Sequence, residues 1–229
     1  MRFGNRVCYH FLLLMSDEPN LDKLLARSAE LEDVLCELSH LPFCTTCRRT
    51  LASRVMCVVV YEHAHSVRLL MAAGSYTSAS GLYRVQFEAL VRTFWVMFAA
   101  SDDWVTALMT DTTPESVAKV NKLPSINEML AALEGKAPEV AVSKLLDFNA
   151  EIWKMLCSFV HGDYNVFIKH DDEYPPEMLV NVIKGSNGLC LLAGNLLVMQ
   201  ALDMSLKGRI KGIQERFADC LPEPKHEAQ

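Results

Sequence analysis

Apolar residues recur every three or four positions along most of the chain, which is the spacing of one helix face. Leu21, Leu24, Leu25, Leu31, Leu35 and Leu38 lay such a stripe over about Leu21 to Leu41, with Asn20 placed to cap its start and Pro42 to end it. From about Thr50 to Ala73, Leu51, Val55, Val58, Val59, Leu69 and Leu70 predict a second helix that stops at Gly74, a residue suited to the left-handed position after a helix end. Ser75, Thr77 and Ser78 offer caps for a third helix running to about Ala100, so these two long helices are expected to form an antiparallel hairpin. Asp102 to Met109 reads as a short helix. Pro114, Pro124 and Pro138 then confine the next stretch to short helices at Glu115–Val120 and Ile126–Leu133. A helix from about Glu139 to His161 follows, Gly162-Asp-Tyr-Asn165 breaks it, and Tyr174-Pro-Pro176 precedes a last helical region from about Glu177 to Phe217. Val58–Tyr61 and Tyr164–Ile168 are strand-like runs without a partner of matching pattern. The pattern predicts an all-α fold, an up-and-down bundle of four to five long helices with short connecting helices. The expected organisation is an irregular segment over 1–20, one helical-bundle domain over 21–219 and a disordered tail over 220–229.

Composition narrows the class without naming an activity. The chain has 229 residues, 51% of them hydrophobic and 22% charged, which excludes a disordered or collagen-like chain. Its 22 Lys and Arg stand against 28 Asp and Glu, a net charge of −6 that excludes a basic coat for nucleic acid. Eight cysteines are scattered through apolar runs such as Val55–Val60, which is the usage of a reducing, cytoplasmic compartment and not of a disulfide framework. Phe11–Met15 imitates the apolar part of a signal peptide, but no small-residue cleavage site precedes Ser16, and export is not expected. The longest uncharged segment, Gly185 to Leu202, falls short of a bilayer span and reads as a buried helix, so no membrane partner is expected.

Four groups of residues carry candidate chemistry. Gly81 to Ala100 is apolar on nearly every side, and Arg84, Glu88 and Arg92 are its only charges, one helical turn apart. Buried charges must pair, so either Glu88 bridges both arginines in a polar lock that fixes helix register, or one arginine faces a pocket and takes an anion such as a phosphate. At a helix end, Lys154, Ser158 and His161 project from one face, with Asp163 just beyond. The helix dipole and that carboxylate favour a charged imidazole, fit either for acid–base work or for capping the last carbonyls. Glu62 and His65 share a face that is expected to look toward the Arg84 helix, as support for its charges or as solvated surface. Cys36, His40, Cys44 and Cys47 offer four soft ligands within twelve residues, a set that zinc accepts, or else unligated thiols at a helix end. No glycine-rich phosphate loop, no Gly-x-Ser-x-Gly elbow and no carboxylate cluster of metal-nuclease type is present.

Three stretches carry a resemblance: Tyr61-Glu-His-Ala-His-Ser66, Arg84 through Glu88 and Arg92 to Trp95, and Ser158-Phe-Val-His-Gly162. Together they resemble a bacterial family of uncharacterised helical proteins that is similar to the HEPN (higher eukaryote and prokaryote nucleotide-binding) group. That resemblance implies a helical bundle that forms a homodimer. It implies either a metal-independent RNase of toxin–antitoxin or antiphage systems, or a member that binds nucleotides or proteins without cutting RNA. An antitoxin or defence-system protein is then an expected partner, RNA or a nucleotide an expected ligand, and no cofactor is needed. RNases of the group pair an arginine with a histidine a few residues later; before His161 that position is Lys154, and Arg84 or Arg92 from the neighbouring helix is expected to fill the role.

Overall fold

The computed structural model describes residues 21–110, 118, 122–151, 174–206 and 208–223. Among them the protein is all-α. The helices run in the order α1 Leu21–Cys36, α2 Arg48–Ala72, α3 Tyr76–Phe98, α4 Asp102–Leu108, α5 Ile126–Leu133, α6 Glu139–Glu151, α7 Pro176–Gln200 and α8 Arg209–Arg216. Short 3-10 turns at Glu37–His40, Met204–Leu206 and Ala218–Cys220 link or end them.

The α2–α3 hairpin is closed by its glycine. Gly74 has φ 70°, its amide donates to the Met71 carbonyl (3.1 Å), and Ser75 donates to Leu70 (2.8 Å). That pair of reversed bonds satisfies the last carbonyls of α2 and turns the chain at once into α3. The strand-like run Val58–Tyr61 lies inside α2. Its β-branched residues follow the phase of the helix, with Val60 fully buried and Val58 exposed.

α7 lies along α1, α2 and α3, and glycines set how closely it approaches. A Cβ at Gly194 would stand 3.0–3.2 Å from Leu35, Leu38 and Tyr61, and one at Gly185 would stand 1.9 Å from the Tyr83 hydroxyl. Tyr83, Phe87 and Phe94 on α3 are fully buried. Phe148 of α6 stacks on Phe87 with ring centres 4.2 Å apart and meets Tyr83 edge-on at 5.2 Å. Several polar groups inside are paired across helices: Gln86 Nε2 donates to the Ser186 carbonyl (3.0 Å), Ser186 Oγ donates back to Gln86 Oε1 (2.7 Å), and Asn187 Nδ2 donates to Ser28 Oγ (2.8 Å). By length and composition α2 and α7 would each pass as a membrane span, yet most of that window of α7 is inside the bundle, as in a core helix.

Three expectations are corrected or bounded here. The last helical region is two helices, not one. α7 ends at Gln200, Ala201 makes an isolated antiparallel bridge to Phe43, Leu202 donates to the Pro42 carbonyl (3.0 Å), and Gly208 at φ 90° starts α8. Packing also runs past the expected start of the tail, because Cys220 and Leu221 are buried and a Cβ on Gly188 would touch Pro222. The short helix Glu115–Val120 and the second half of the helix expected to reach His161 lie, apart from Ala118, outside the described residues, as do 1–20 and 224–229.

Candidate functional site

α3 is apolar enough to be central, and its three charges are held on one line by the helical repeat. Glu88 is shared between the arginines: Arg84 Nε lies 3.2 Å from Glu88 Oε1, and Arg92 donates to Glu88 Oε2 at 3.0 Å. The line is not sealed. Side-chain exposure is 16% at Arg84, 18% at Glu88 and 36% at Arg92, so the guanidinium of Arg92 meets solvent most openly. The three residues form one wall of a cleft of about 320 Å³, and Pro124, Ser125, Ile126 and Asn127 form the other.

The second wall is the start of α5. Ser125 Oγ accepts the Glu128 amide (3.3 Å), and Glu128 Oε2 accepts both the amide and the hydroxyl of Ser125 (2.7 Å each). This reciprocal cap satisfies two of the free amides at the helix start, those of Ser125 and Glu128. It also holds the Glu128 carboxyl below the usual range, since the Ser125 donors favour its charged form. The formal positive charge in the cleft comes from the arginines. With one carboxylate between two guanidiniums, the lining residues carry one net positive charge, which suits a phosphate held by charge-assisted hydrogen bonds. Asn149 Nδ2 of α6 donates to Asn127 Oδ1 (3.2 Å) and steadies this wall, while Asn149 Oδ1 is buried without a partner among the described residues.

Other expected site residues are placed differently. Glu62 is exposed. His65 does not look toward α3: its Nδ1 lies 2.8 Å from Glu32 Oε1 of α1 and 3.1 Å from Arg68, which itself pairs with Glu32. The packing of α1 against this part of α2 brings Glu32 to His65, and neither Glu62 nor His65 lines the cleft. Lys154, Ser158, His161 and Asp163 lie outside the described residues. Arg84, Glu88 and Arg92 are thus the expected residues that the structure brings together.

The soft-ligand set does not assemble. Among the described residues no group of three or more His, Cys, Asp or Glu converges on a metal position, and Cys36, His40, Cys44 and Cys47 are spread from the end of α1 to the start of α2. Cys36 belongs to α1 and is half-buried, which pushes its thiol up, whereas Cys44 and Cys47 sit exposed past Pro42.

Two features escaped the pattern. Ser125-x-x-Glu128 is a legible capping signature, but nothing local says that it faces Arg92 across a cleft. Arg54, inside the apolar run of α2, is buried and donates to the carbonyls of Ser39 and Leu41 (3.0 Å each) while lying over the Phe43 ring at 4.0 Å. It closes the end of the 3-10 turn, and its charge hidden among valines was the available signal.

Among known proteins, a family model described as "Family of unknown function (DUF6988)" matches residues 57–223, a span that includes both walls of the cleft. No curated protein and no solved structure matches the chain.

Proposed function

We propose, for a chain that belongs to the DUF6988 family, that the cleft between α3 and the start of α5 receives a phosphate of RNA or a nucleotide. The protein is then a HEPN-like, metal-independent endoribonuclease or toxin-type effector of bacterial defence or stress response. The observation that carries the reading is the Arg84–Glu88–Arg92 line, open to solvent along a polar cleft with one net positive charge. The resemblance of Arg84 to Trp95 and of Ser158 to Gly162 supports the enzymatic half.

In this reading Arg84 and Arg92 grip the phosphate and offset the charge that develops at phosphorus. The 2′-oxygen attacks the phosphorus and displaces the 5′-oxygen of the next nucleotide, and a 2′,3′-cyclic phosphate and a 5′-hydroxyl remain. His161 either takes the 2′-hydroxyl proton, with water protonating the leaving oxygen, or gives its own proton to the leaving oxygen, with water taking the 2′ proton. Ser158 orients the phosphate, Lys154 adds charge, and Asp163 favours the imidazolium. The enzyme works in the cytoplasm as a homodimer, restrained by an antitoxin or defence-system partner.

A second reading is favoured by Glu88 itself, which holds both arginines at once. A non-catalytic interaction or small-anion-binding module would need no more than this lock. Incubating labelled single-stranded RNA with the protein in EDTA separates the two. The enzyme predicts fragments ending in cyclic phosphate with the wild type and none with His161→Ala, while that variant still binds RNA. Intact RNA with a folded wild type would remove the enzyme and leave the binding module.

A further inference from the structure

We propose that Cys44 and Cys47 are a redox-active thiol pair that reacts with a small disulfide carrying carboxylates and closes into an intramolecular disulfide. The placement of the two thiols carries this. Among the described cysteines, Cys57, Cys190 and Cys220 are buried and Cys36 is half-buried, whereas Cys44 and Cys47 are both exposed. Thr45 and Thr46 form a turn between them. A four-residue turn keeps its end Cα atoms within about 7 Å, close to the span that a disulfide bridges.

Cys47 is the residue from which the 25-residue α2 begins, with extended backbone (φ −84°, ψ 104°), so its thiol stands at the positive end of a long helix dipole. The nearby hydroxyl and amide of Thr50 favour its thiolate and hold it below the usual thiol range, although the Cys47 side chain makes no capping hydrogen bond to the helix. Cys44 Sγ lies 3.2 Å from the Thr46 hydroxyl, and that hydroxyl with the amides of Thr46 and Cys47 lowers it likewise. Lowered thiols at a helix start are the reactive kind, and buried ones are inert.

A cavity of about 210 Å³ adjoins Cys47, lined also by Arg48, Arg49, Asp102, Val105 and Thr106. Arg49 is fixed there by bonds to the Val96 carbonyl (2.7 Å) and Asp102 (2.6 Å), and Arg48 is exposed beside it. With Arg49 paired to Asp102, the exposed Arg48 leaves one net positive charge beside the thiol, which suits a disulfide with carboxylate groups, such as oxidised glutathione. The Cys47 thiolate attacks one sulfur of that disulfide, forming a mixed disulfide and expelling one small thiolate. The Cys44 thiolate then attacks Cys47 Sγ, forming the Cys44–Cys47 bond and expelling the second small thiolate. Two protein thiols are oxidised, one small disulfide is reduced to two thiols, and the two protons go to the released thiolates.

The test exposes the full-length protein to defined ratios of oxidised to reduced glutathione, followed by acid quench, alkylation and peptide mass mapping. The expected product is a Cys44–Cys47 disulfide, with Cys47 modified roughly tenfold or more faster than Cys36. Cys44→Ser should trap the glutathionyl adduct on Cys47, and Cys47→Ser should lose the fast reaction, with circular dichroism unchanged in both. Free thiols at both positions under every ratio, a disulfide to Cys36 instead, or no trapped adduct in Cys44→Ser would overturn the proposal.

Discussion

Tyr83 shows how a single polar atom constrains two helices. Its hydroxyl is fully buried on α3, has no hydrogen-bond partner among the described residues, and sits where a Cβ on Gly185 of α7 would come within 1.9 Å. Burial alone pushes the phenol far up from its usual value, so it stays neutral. Leaving a hydroxyl unsatisfied inside a protein costs about 1–3 kcal/mol, so Tyr83→Phe is expected to stabilise the protein by about 1 kcal/mol in urea unfolding. Gly185→Ala is expected to cost about 1–3 kcal/mol through overpacking, although alanine is the better helix former. Part of that loss should return in the double variant, because the clashing oxygen is gone. Equal stability of Gly185→Ala and the wild type would show that α3 and α7 are not this closely packed.

Among the helical elements, α5 is short enough that its cap matters. Ser125→Ala removes the hydroxyl that receives the Glu128 amide and is expected to cost about 1 kcal/mol, read as a lower urea midpoint. The same cap makes a pH prediction. Glu128 has a folded value below its ordinary one, so its contribution is present above the ordinary carboxylate range and is lost as pH falls through the lowered value. Midpoints of wild type and Ser125→Ala should therefore converge as the pH drops into the acid range, and a constant gap would contradict the cap. Element by element, the helices with strong periodicity were legible: α1, the α2–α3 hairpin, α4 and α5 stand within a few residues of where the spacing of leucines, Gly74 and the prolines puts them. The break between α7 and α8 was not. It depends on Gly208 at φ 90° and on Ala201 and Leu202 meeting Phe43 and Pro42, contacts between residues some 160 positions apart in sequence. His65 was misplaced for a related reason, since only the packing of α1 brings Glu32 to it.

At the scale of the whole molecule, the net charge of −6 and the local charge at the cleft oppose each other. An acidic protein repels the rest of a nucleic-acid strand, so a ligand is held through few phosphates, and affinity should depend only weakly on salt. The half of the cleft on α3 was legible because three charges in an otherwise apolar helix stand out. The half on α5 was not, because the approach of Ser125 to Arg92 is a tertiary fact. The measurement that tests the phosphate cleft most directly is equilibrium binding of a short 2′-O-methyl RNA, which cannot be cleaved, to wild type and Arg92→Ala in EDTA over a range of salt. The account predicts binding by the wild type with a log–log salt slope of about −0.7 to −1.4, one or two phosphate contacts, and a loss of roughly tenfold or more with a shallower slope in Arg92→Ala. Equal affinity and equal slope in the two proteins would contradict it.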